Sequence, residues 1–209
     1  MRLAKYALAF GFALVPFVSR AHADTRTYAV MRNDDRIGTN TIDVESVGRQ
    51  TTVQTVTHVE VKILFLTVYR FDQTETERWA NGHLLAMNST TDDNGAVHKT
   101  EASSSGDGII VHGDGQEKRI SATIIPINLW NTAVLAQDTA LDPRDGSLVS
   151  VRVADQGEDS LFVQGRQTRT RHYLVTTTFS QDAWYDENHR LVKLQLKASD
   201  GSLIRYQLV

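Results

Sequence analysis

Cysteine is absent from this sequence of 209 residues. Its absence excludes catalysis by a thiolate nucleophile and metal sites built on cysteine sulfur. It also excludes disulfide bonds, which a domain of this size does not need when its hydrophobic core is adequate. A stable fold of this chain therefore depends on its core.

An excess of positive charge is also lacking, because 22 lysine and arginine residues stand against 25 aspartate and glutamate residues. Nucleic-acid binding requires clustered positive charge, so we expect no nucleic-acid partner. After the first 23 residues, no apolar run approaches the roughly 20 residues that a membrane-spanning helix needs. We therefore expect a soluble chain without a membrane span.

The first 23 residues have the pattern of a secretory signal peptide. Arg2 and Lys5 give a basic start, Tyr6–Val18 is almost wholly apolar, and residues 21–23 (AHA) match a cleavage site. Cleavage after Ala23 predicts a mature single domain of residues 24–209. Of the 22 basic residues, three are lost with this segment, so 19 remain against 25 acidic ones, a net charge of −6.

Position 24, the first residue after the predicted cleavage, is aspartate. A bacterial lipoprotein carries its lipid on a cysteine at that position, so we expect no lipid anchor. The predicted location is the bacterial periplasm, with secretion as an alternative, and a eukaryotic secretory origin stays open.

The mature chain reads as short β-strands separated by turn residues. In Thr51–Lys62 most odd positions are apolar or β-branched and most even positions are polar, the alternation of a half-buried strand. Asn94-Gly95 is a strong hairpin signal. The predicted strands are Thr27–Arg32, Ile37–Val47, Thr51–Lys62, Leu84–Thr91, Ala96–Ser103, Ile109–His112, Leu148–Ala154, Leu161–Thr178, Ala183–Tyr185, Leu191–Ala198 and Leu203–Leu208.

One segment does not follow this pattern of strands and turns. Leu129–Gln137 carries an apolar stripe at helical spacing, and Asn128 precedes it as an N-cap. The sequence therefore predicts a mainly β fold: a large, curled antiparallel sheet, a half-barrel or barrel-like meander, with one short helix. The concave face of such a sheet serves as a packed core or as a ligand groove.

Several stretches resemble a widespread family of exported bacterial proteins of unknown function. They are residues 37–38 (IG), 59–70 (VEVKILFLTVYR), 77–79 (ERW), 82–84 (GHL), 91–95 (TDDNG), 184–186 (WYD), 190–193 (RLVK) and 200–202 (DGS). The layout is also remotely similar to the curved sheets of periplasmic lipoprotein carriers of the LolA and LolB type. The resemblance implies a concave, apolar-lined sheet. It carries over no catalytic residue, and fold alone does not fix function.

The most unusual stretch is Ile63–Phe71, which places apolar groups on both faces of an extended chain. Two interpretations stay open. It forms a central strand covered on both sides, or it forms a lip that meets an apolar ligand or a membrane surface. Arg70 then needs a carboxylate partner or access to water, and it would help to hold an acidic headgroup. The candidate ligand-binding residues here are Leu64, Phe65, Leu66, Val68, Tyr69, Arg70 and Phe71, with Trp130 from the predicted helix.

A basic cluster lies near residue 170, formed by Arg166, Arg169, Arg171 and His172. One interpretation is a solvated face that balances nearby acids. The other is recognition of a phosphate or carboxylate by arginine forks, for which Arg169 and Arg171 are the candidates.

Metal and catalytic motifs are missing. The spacing of His58, Glu60, His98 and His112 matches no recognised ligand set, and residues 103–106 (SSSG) are not a G-x-S-x-G elbow. We predict no metal, no cofactor and no catalytic residue. The leading hypothesis is a non-catalytic module that binds a lipid or another amphipathic small molecule. The alternatives are an envelope enzyme or enzyme accessory with an acid/His site, and a protein–protein interaction module.

Overall fold

The computed structural model describes residues 21–209, so most of the predicted signal peptide lies outside the described residues. The described chain is almost entirely β-structure. The strands are β1 (Ala21–Arg32), β2 (Asp35–Val47), β3 (Gln50–Ile63), β4 (Leu66–Ala80), β5 (His83–Asp93), β6 (Ala96–Ser105), β7 (Gly108–Gly113), β8 (Gln116–Ser121), β9 (Thr139–Leu141), β10 (Leu148–Ser150), β11 (Arg152–Val163), β12 (Arg166–Thr176), β13 (Ser180–Asp186), β14 (Leu191–Lys197) and β15 (Leu203–Leu208).

Thirteen of these strands form one antiparallel sheet in the order β11-β12-β13-β14-β15-β1-β2-β3-β4-β5-β6-β7-β8. Each strand pairs with its neighbour in sequence, except at the seam where β15 pairs with β1. β11 and β8 remain as the two edges of the sheet, so the sheet is unclosed. The predicted fold class, a large barrel-like antiparallel meander, is confirmed.

Alternation of side chains decides which face of each strand is buried. In β3 the side chains of Val53, Thr55, Thr57 and Val59 are buried, and those between them are exposed. A strand places successive side chains on opposite faces, so this pattern turns one face of the sheet toward a common interior.

Two predicted strands are divided in the structure. Leu161–Thr178 is interrupted after Val163 by a turn at Gln164–Gly165, where φ is +47° and +76°. Leu148–Ala154 is also divided, because β10 ends at Ser150 and pairs with β9, whereas β11 begins at Arg152 and pairs with β12. The predicted strands also omit β8, β9 and the part of β4 beyond Phe71.

The predicted helix is much shorter than expected. The structure has a 3-10 helix over Thr132–Ala136, and its N-cap is Asn131, whose side chain accepts a hydrogen bond from the Ala133 N–H. Asn128 does not cap it, because its amide group donates to two buried carboxyl groups of β4. The carbonyl of Leu129 accepts a hydrogen bond from the Tyr185 hydroxyl, and Leu129–Trp130 form a turn in which the Asn131 N–H donates to the Asn128 carbonyl.

Residues 122–150, which we call the inner segment, pack against the concave face of the sheet. The segment contributes Val134, Ala140 and Leu141, all fully buried, to the same core cluster as sheet residues such as Val111 and Val175. A short hairpin of β9 and β10 stiffens it. The inner segment therefore fills part of the concavity and leaves the rest open.

Among residues 21–209, no helix is long and apolar enough to cross a membrane.

Candidate functional site

The open part of the concavity is a cavity of about 730 Å³. Its walls come from β1–β4 on one side and from β13–β15 on the other, and the inner segment closes its base. Most wall positions are apolar; examples are Val30, Ile42, Val59, Val61, Leu194, Leu196 and Ile204. The cavity is within the size range of small-molecule sites, about 300–1,000 Å³, and has their usual apolar character.

The mouth of this cavity is marked by the wall residues that are also exposed to solvent. They are Ile63, Val68, Tyr69, Arg144, Phe179, Ser199 and Asp200. These residues lie at one end of the sheet, on the β3–β4, β12–β13 and β14–β15 connections and in the inner segment. The cavity therefore opens to solvent at this end of the sheet.

Two arginines place polar groups on the cavity wall. Arg32 donates to Ser202 at 3.1 Å and to Asp200 at 2.5 Å. Hydrogen bonds from Ser202 and from Arg32 hold the pKa of the Asp200 carboxyl well below its usual range. Arg144 forms a bidentate pair with the buried carboxylate of Asp142, with its closest contact at 2.6 Å.

The apolar stretch Ile63–Phe71 is a hairpin rather than one strand. β3 ends at Ile63 and β4 begins at Leu66, while Leu64 and Phe65 form the turn with φ of +46° and +72°. The prediction of a continuous strand is wrong here, because the turn lacks the Gly or Asn that marks such geometry in a sequence. The interpretation as a central strand covered on both sides is also wrong, because the turn is exposed to solvent.

The end of this hairpin is almost fully exposed. The exposed fractions are 86% for Leu64, 98% for Phe65 and 71% for Leu66. We call these three residues the apolar tip. They extend beyond the mouth, whereas Ile63, Val68, Tyr69 and Phe71 line the cavity.

Arg70 points away from the cavity. It is exposed and pairs with Asp72, which is the carboxylate partner expected for it. Asp72 also contacts His58 across the β3–β4 ladder at 2.6 Å. Hydrogen bonds from His58 and Arg70 lower the pKa of the Asp72 carboxyl.

Trp130 lies at the base of the cavity, as part of its lining. Its ring packs edge-on against Trp79, with the ring centroids 6.0 Å apart. Its indole N–H donates to Glu77 at 3.3 Å.

Glu75 and Glu77 form a buried carboxyl pair behind Trp130, and sequence reasoning missed it. Each side chain is only 1% exposed. The amide of Asn128 donates to both, at 2.7 Å for Glu75, and the Trp79 indole donates to Glu77 at 2.6 Å. The alternation of side chains along β4 could have revealed the pair, because Glu75 and Glu77 share one face of the strand with Trp79.

The surroundings of this pair determine its protonation state. Burial, followed by the neighbouring charge of Glu77, raises the pKa of Glu75 well above its usual value. Burial also raises the pKa of Glu77, but hydrogen bonds from Asn128, Trp79 and Trp130 oppose that effect. Because two adjacent buried carboxylates repel each other, the pair favours holding one proton, and the hydrogen bonds to Glu77 favour the charge on that side.

The family model described as "Domain of unknown function (DUF6134)" matches residues 28–209. The chain belongs to the DUF6134 family. The predicted membership of a family of unknown function is thereby confirmed. No curated protein matches this DUF6134 chain.

A solved structure shares the fold of this DUF6134 protein. It is the crystal structure of a "Beta-barrel-like Protein of Domain of Unknown Function DUF1849 from Brucella abortus", with a TM-score of 0.63 and 12% sequence identity. The match covers 92% of this chain and 98% of that one. At this identity the likeness shows the fold alone. The similarity to LolA- and LolB-type carriers stays a prediction.

Arg169 and Arg171 of the DUF6134 chain do not join the other candidate residues. They line a separate hollow beside the 3-10 helix, with Tyr173 and His189. Arg171 pairs with Asp155 at 2.5 Å, and Arg169 lies 4.0 Å from Glu187 with both side chains largely exposed. The structure thus divides the predicted ligand site among the cavity, the apolar tip, the outer face at Arg70 and this hollow.

Four of the histidines are dispersed, and each of these four lies beside its own acid. His58, His98 and His172 contact Asp72, Asp114 and Asp182 at 2.6–2.7 Å, and His112 lies 3.6 Å from Glu117. None of these four histidines lines the cavity. Within residues 21–209, no three His, Cys, Asp or Glu side chains gather in a metal-binding arrangement. These four histidines are therefore not gathered in one pocket of the described chain.

Proposed function

We propose that this DUF6134 protein is a periplasmic binding protein that holds one amphipathic, lipid-like molecule in its cavity and does not transform it. The observation that carries the proposal is the open, apolar half of the concavity, about 730 Å³ in size. The periplasmic location rests on the signal peptide predicted in residues 1–23.

The shape of the cavity supports an occupant with a hydrocarbon part. Apolar side chains from both walls face each other across the space that the inner segment leaves open. Water in such a space makes few hydrogen bonds, and its replacement by a hydrocarbon chain is favourable by about 25 cal/mol for each Å² of apolar surface buried.

The charges on the cavity wall support a polar or anionic headgroup. Asp200 and Ser202 engage Nη2 and Nε of Arg32, and a guanidinium has five N–H donors in all. The remaining donors suit a carboxylate or phosphate oxygen. Asp200 and Ser199 at the mouth keep this end polar.

The buried carboxyl pair supports a structural role rather than catalysis. Glu75 and Glu77 are closed off behind Asn128 and Trp130 and are absent from the cavity lining. A general acid must reach its substrate within hydrogen-bond distance. The pair instead attaches the inner segment to β4 through Asn128.

The test is native mass spectrometry of protein purified from the periplasm, followed by solvent extraction of the bound molecule. We expect one equivalent of a lipid-like compound and a mature N-terminus at Asp24. Val59→Phe, which fills the cavity from its wall, should abolish the bound species. Val56→Phe is the matched control, because Val56 lies on the same strand but faces solvent.

Two outcomes would overturn the proposal. One is protein without any extractable ligand that also fails to bind added fatty acid. The other is equal retention of the ligand by Val59→Phe and wild type.

A further inference from the structure

The turn that carries the apolar tip differs from the other turns of its kind in this chain. In residues 21–209, five two-residue hairpin turns have positive φ at both positions. Four of them end in glycine; they are Asn81–Gly82, Asn94–Gly95, Asp114–Gly115 and Gln164–Gly165. The fifth is Leu64–Phe65, in which two bulky side chains adopt a conformation that disfavours them. The backbone geometry does not select these residues, so their apolar side chains require another explanation.

Solvent exposure points to the same conclusion. Leu64, Phe65 and Leu66 protrude next to one another, and Ile63 and Val68 behind them are about half exposed. Single exposed apolar residues need no explanation, whereas a contiguous apolar projection marks an interaction site. Phe162, near the opposite end of the strands, is an isolated exposed aromatic and serves as an internal comparison.

We propose that the apolar tip, Leu64, Phe65 and Leu66, inserts into a lipid bilayer and docks the protein with its cavity mouth against the membrane.

The area of the tip favours a bilayer over a protein partner. Three side chains of this size, at about 200 Å² each, supply about 600 Å² when fully buried. A stable protein interface uses about 800 Å² and 20–30 residues from each partner. Two tips packed against each other therefore fall short of a stable dimer. A bilayer has no such requirement, because its hydrocarbon accepts a narrow projection directly.

The residues behind the tip suit the headgroup layer of a bilayer. Lys62 and Arg70 flank the tip, exposed and on long flexible side chains, and Tyr69 lies at the mouth. Basic and aromatic residues are enriched at this depth of a membrane interface. Glu60 and Asp72 contact these two cations, and Asp92 and Asp93 lie on the adjacent strand β5, so the apolar tip rather than net charge drives docking.

The tip is also continuous with the cavity. Ile63 and Val68, its immediate neighbours, line the mouth, so an apolar surface runs from the bilayer-facing end into the interior. A lipid chain that follows Ile63 and Val68 would pass along this apolar side of the mouth, beside its polar groups. This link to the cavity rests on the proposed function, whereas docking itself does not.

The experiment is flotation of the mature protein with vesicles of phosphatidylethanolamine and phosphatidylglycerol. The test variant is Leu64→Asn together with Phe65→Gly, which copies the Asn–Gly turns that the fold already contains. It should keep the fold, checked by circular dichroism and thermal unfolding, and should bind vesicles at least tenfold more weakly. Phe162→Asn is the control and should bind as wild type does.

A second measurement separates this inference from the proposed function. A fluorescent fatty acid, used below its micelle concentration, should bind equally to wild type and to the tip variant, because the cavity is intact in both. Fatty-acid binding by a wild type that ignores vesicles overturns docking and leaves the cavity proposal standing. Vesicle binding without fatty-acid binding overturns the cavity proposal and leaves docking standing. Equal flotation of the tip variant and wild type, or a wild-type dimer that the variant loses without any vesicle binding, also overturns docking.

Discussion

At the scale of single residues, Glu75 shows what alternation predicts and what it does not. Alternation along β4 places Glu75 and Glu77 on the inward face with Trp79. It does not reveal that Asn128 and Trp130, some 50 residues later, supply their hydrogen bonds. The protonation state of a buried acid depends on such distant donors, so the pair was not predictable from local sequence.

The raised pKa of Glu75 makes stability depend on pH. A group whose pKa is higher in the folded state stabilises the fold fully below its unfolded pKa, and it loses that contribution as pH rises through its folded pKa. We expect Glu75→Gln to remove this loss. As pH rises from 5 to 8, the free energy of unfolding of the Glu75→Gln variant, measured by urea denaturation, should increase relative to that of wild type. The increase should be about 1.4 kcal/mol per unit of pKa shift.

Glu77→Gln is the matched control at the neighbouring inward position. Glu77 accepts hydrogen bonds from three donors, so a glutamine there points its own N–H donors at one of them. We expect a cost of about 1.5–3 kcal/mol throughout this pH range. A Glu75→Gln protein that keeps the wild-type pH slope would contradict the assignment of the proton to Glu75.

At the scale of elements, the strands were predictable where polar turn residues flank them. Asn94-Gly95 fixed the boundary between β5 and β6, because these residues tolerate positive φ. The β3–β4 turn was missed because Leu64 and Phe65 carry no turn signal. The helix was overestimated because the side chain of Asn128, a good cap in isolation, bonds to Glu75 and Glu77 instead. A missing local signal thus caused the first error, and tertiary contacts caused the second.

The inner segment presses directly on β7 at one point. A Cβ added to Gly113 would lie 2.3 Å from the Asp145 carbonyl oxygen, a backbone atom that cannot rotate away. We expect Gly113→Ala to displace the inner segment and to cost up to about 3 kcal/mol of unfolding free energy. Faster hydrogen exchange at the Ile127 and Leu141 amides, which bond within the segment, should accompany the loss.

Gly115→Ala tests whether this effect is specific to the contact. Gly115 lies two residues further on, has φ of +77°, and has open space where a Cβ would stand. Its substitution should cost about 1 kcal/mol through backbone strain alone, and exchange in the inner segment should not change. Equal exchange rates in the two variants would show that the contact at Gly113 does not hold the segment.

At the scale of the whole molecule, the fold class followed from the two-residue period and the turn spacing. Those patterns predict a curled meander, since a wide flat sheet exposes its edges. They do not predict the seam at which β1 pairs with β15, the first and last strands of the described residues. They also do not predict how much of the concavity the inner segment fills. The cavity is what remains after that packing, so only the complete structure reveals it.

That cavity predicts how the whole protein responds to ligands. A ligand that binds only the folded state, at 100 times its Kd, adds about 2.7 kcal/mol to the free energy of unfolding. For a domain of this size, that corresponds to a Tm increase of about 5–10 °C. We expect this increase with a fatty acid, and a smaller one with the alcohol of equal chain length, because Arg32 offers hydrogen-bond donors to a carboxylate.

Arg32→Gln should reduce the Tm increase caused by the fatty acid to that caused by the alcohol, and it should leave the increase caused by the alcohol unchanged. Scanning calorimetry measures both, and equal shifts for the two ligands in the wild type would show that Arg32 does not contact the headgroup.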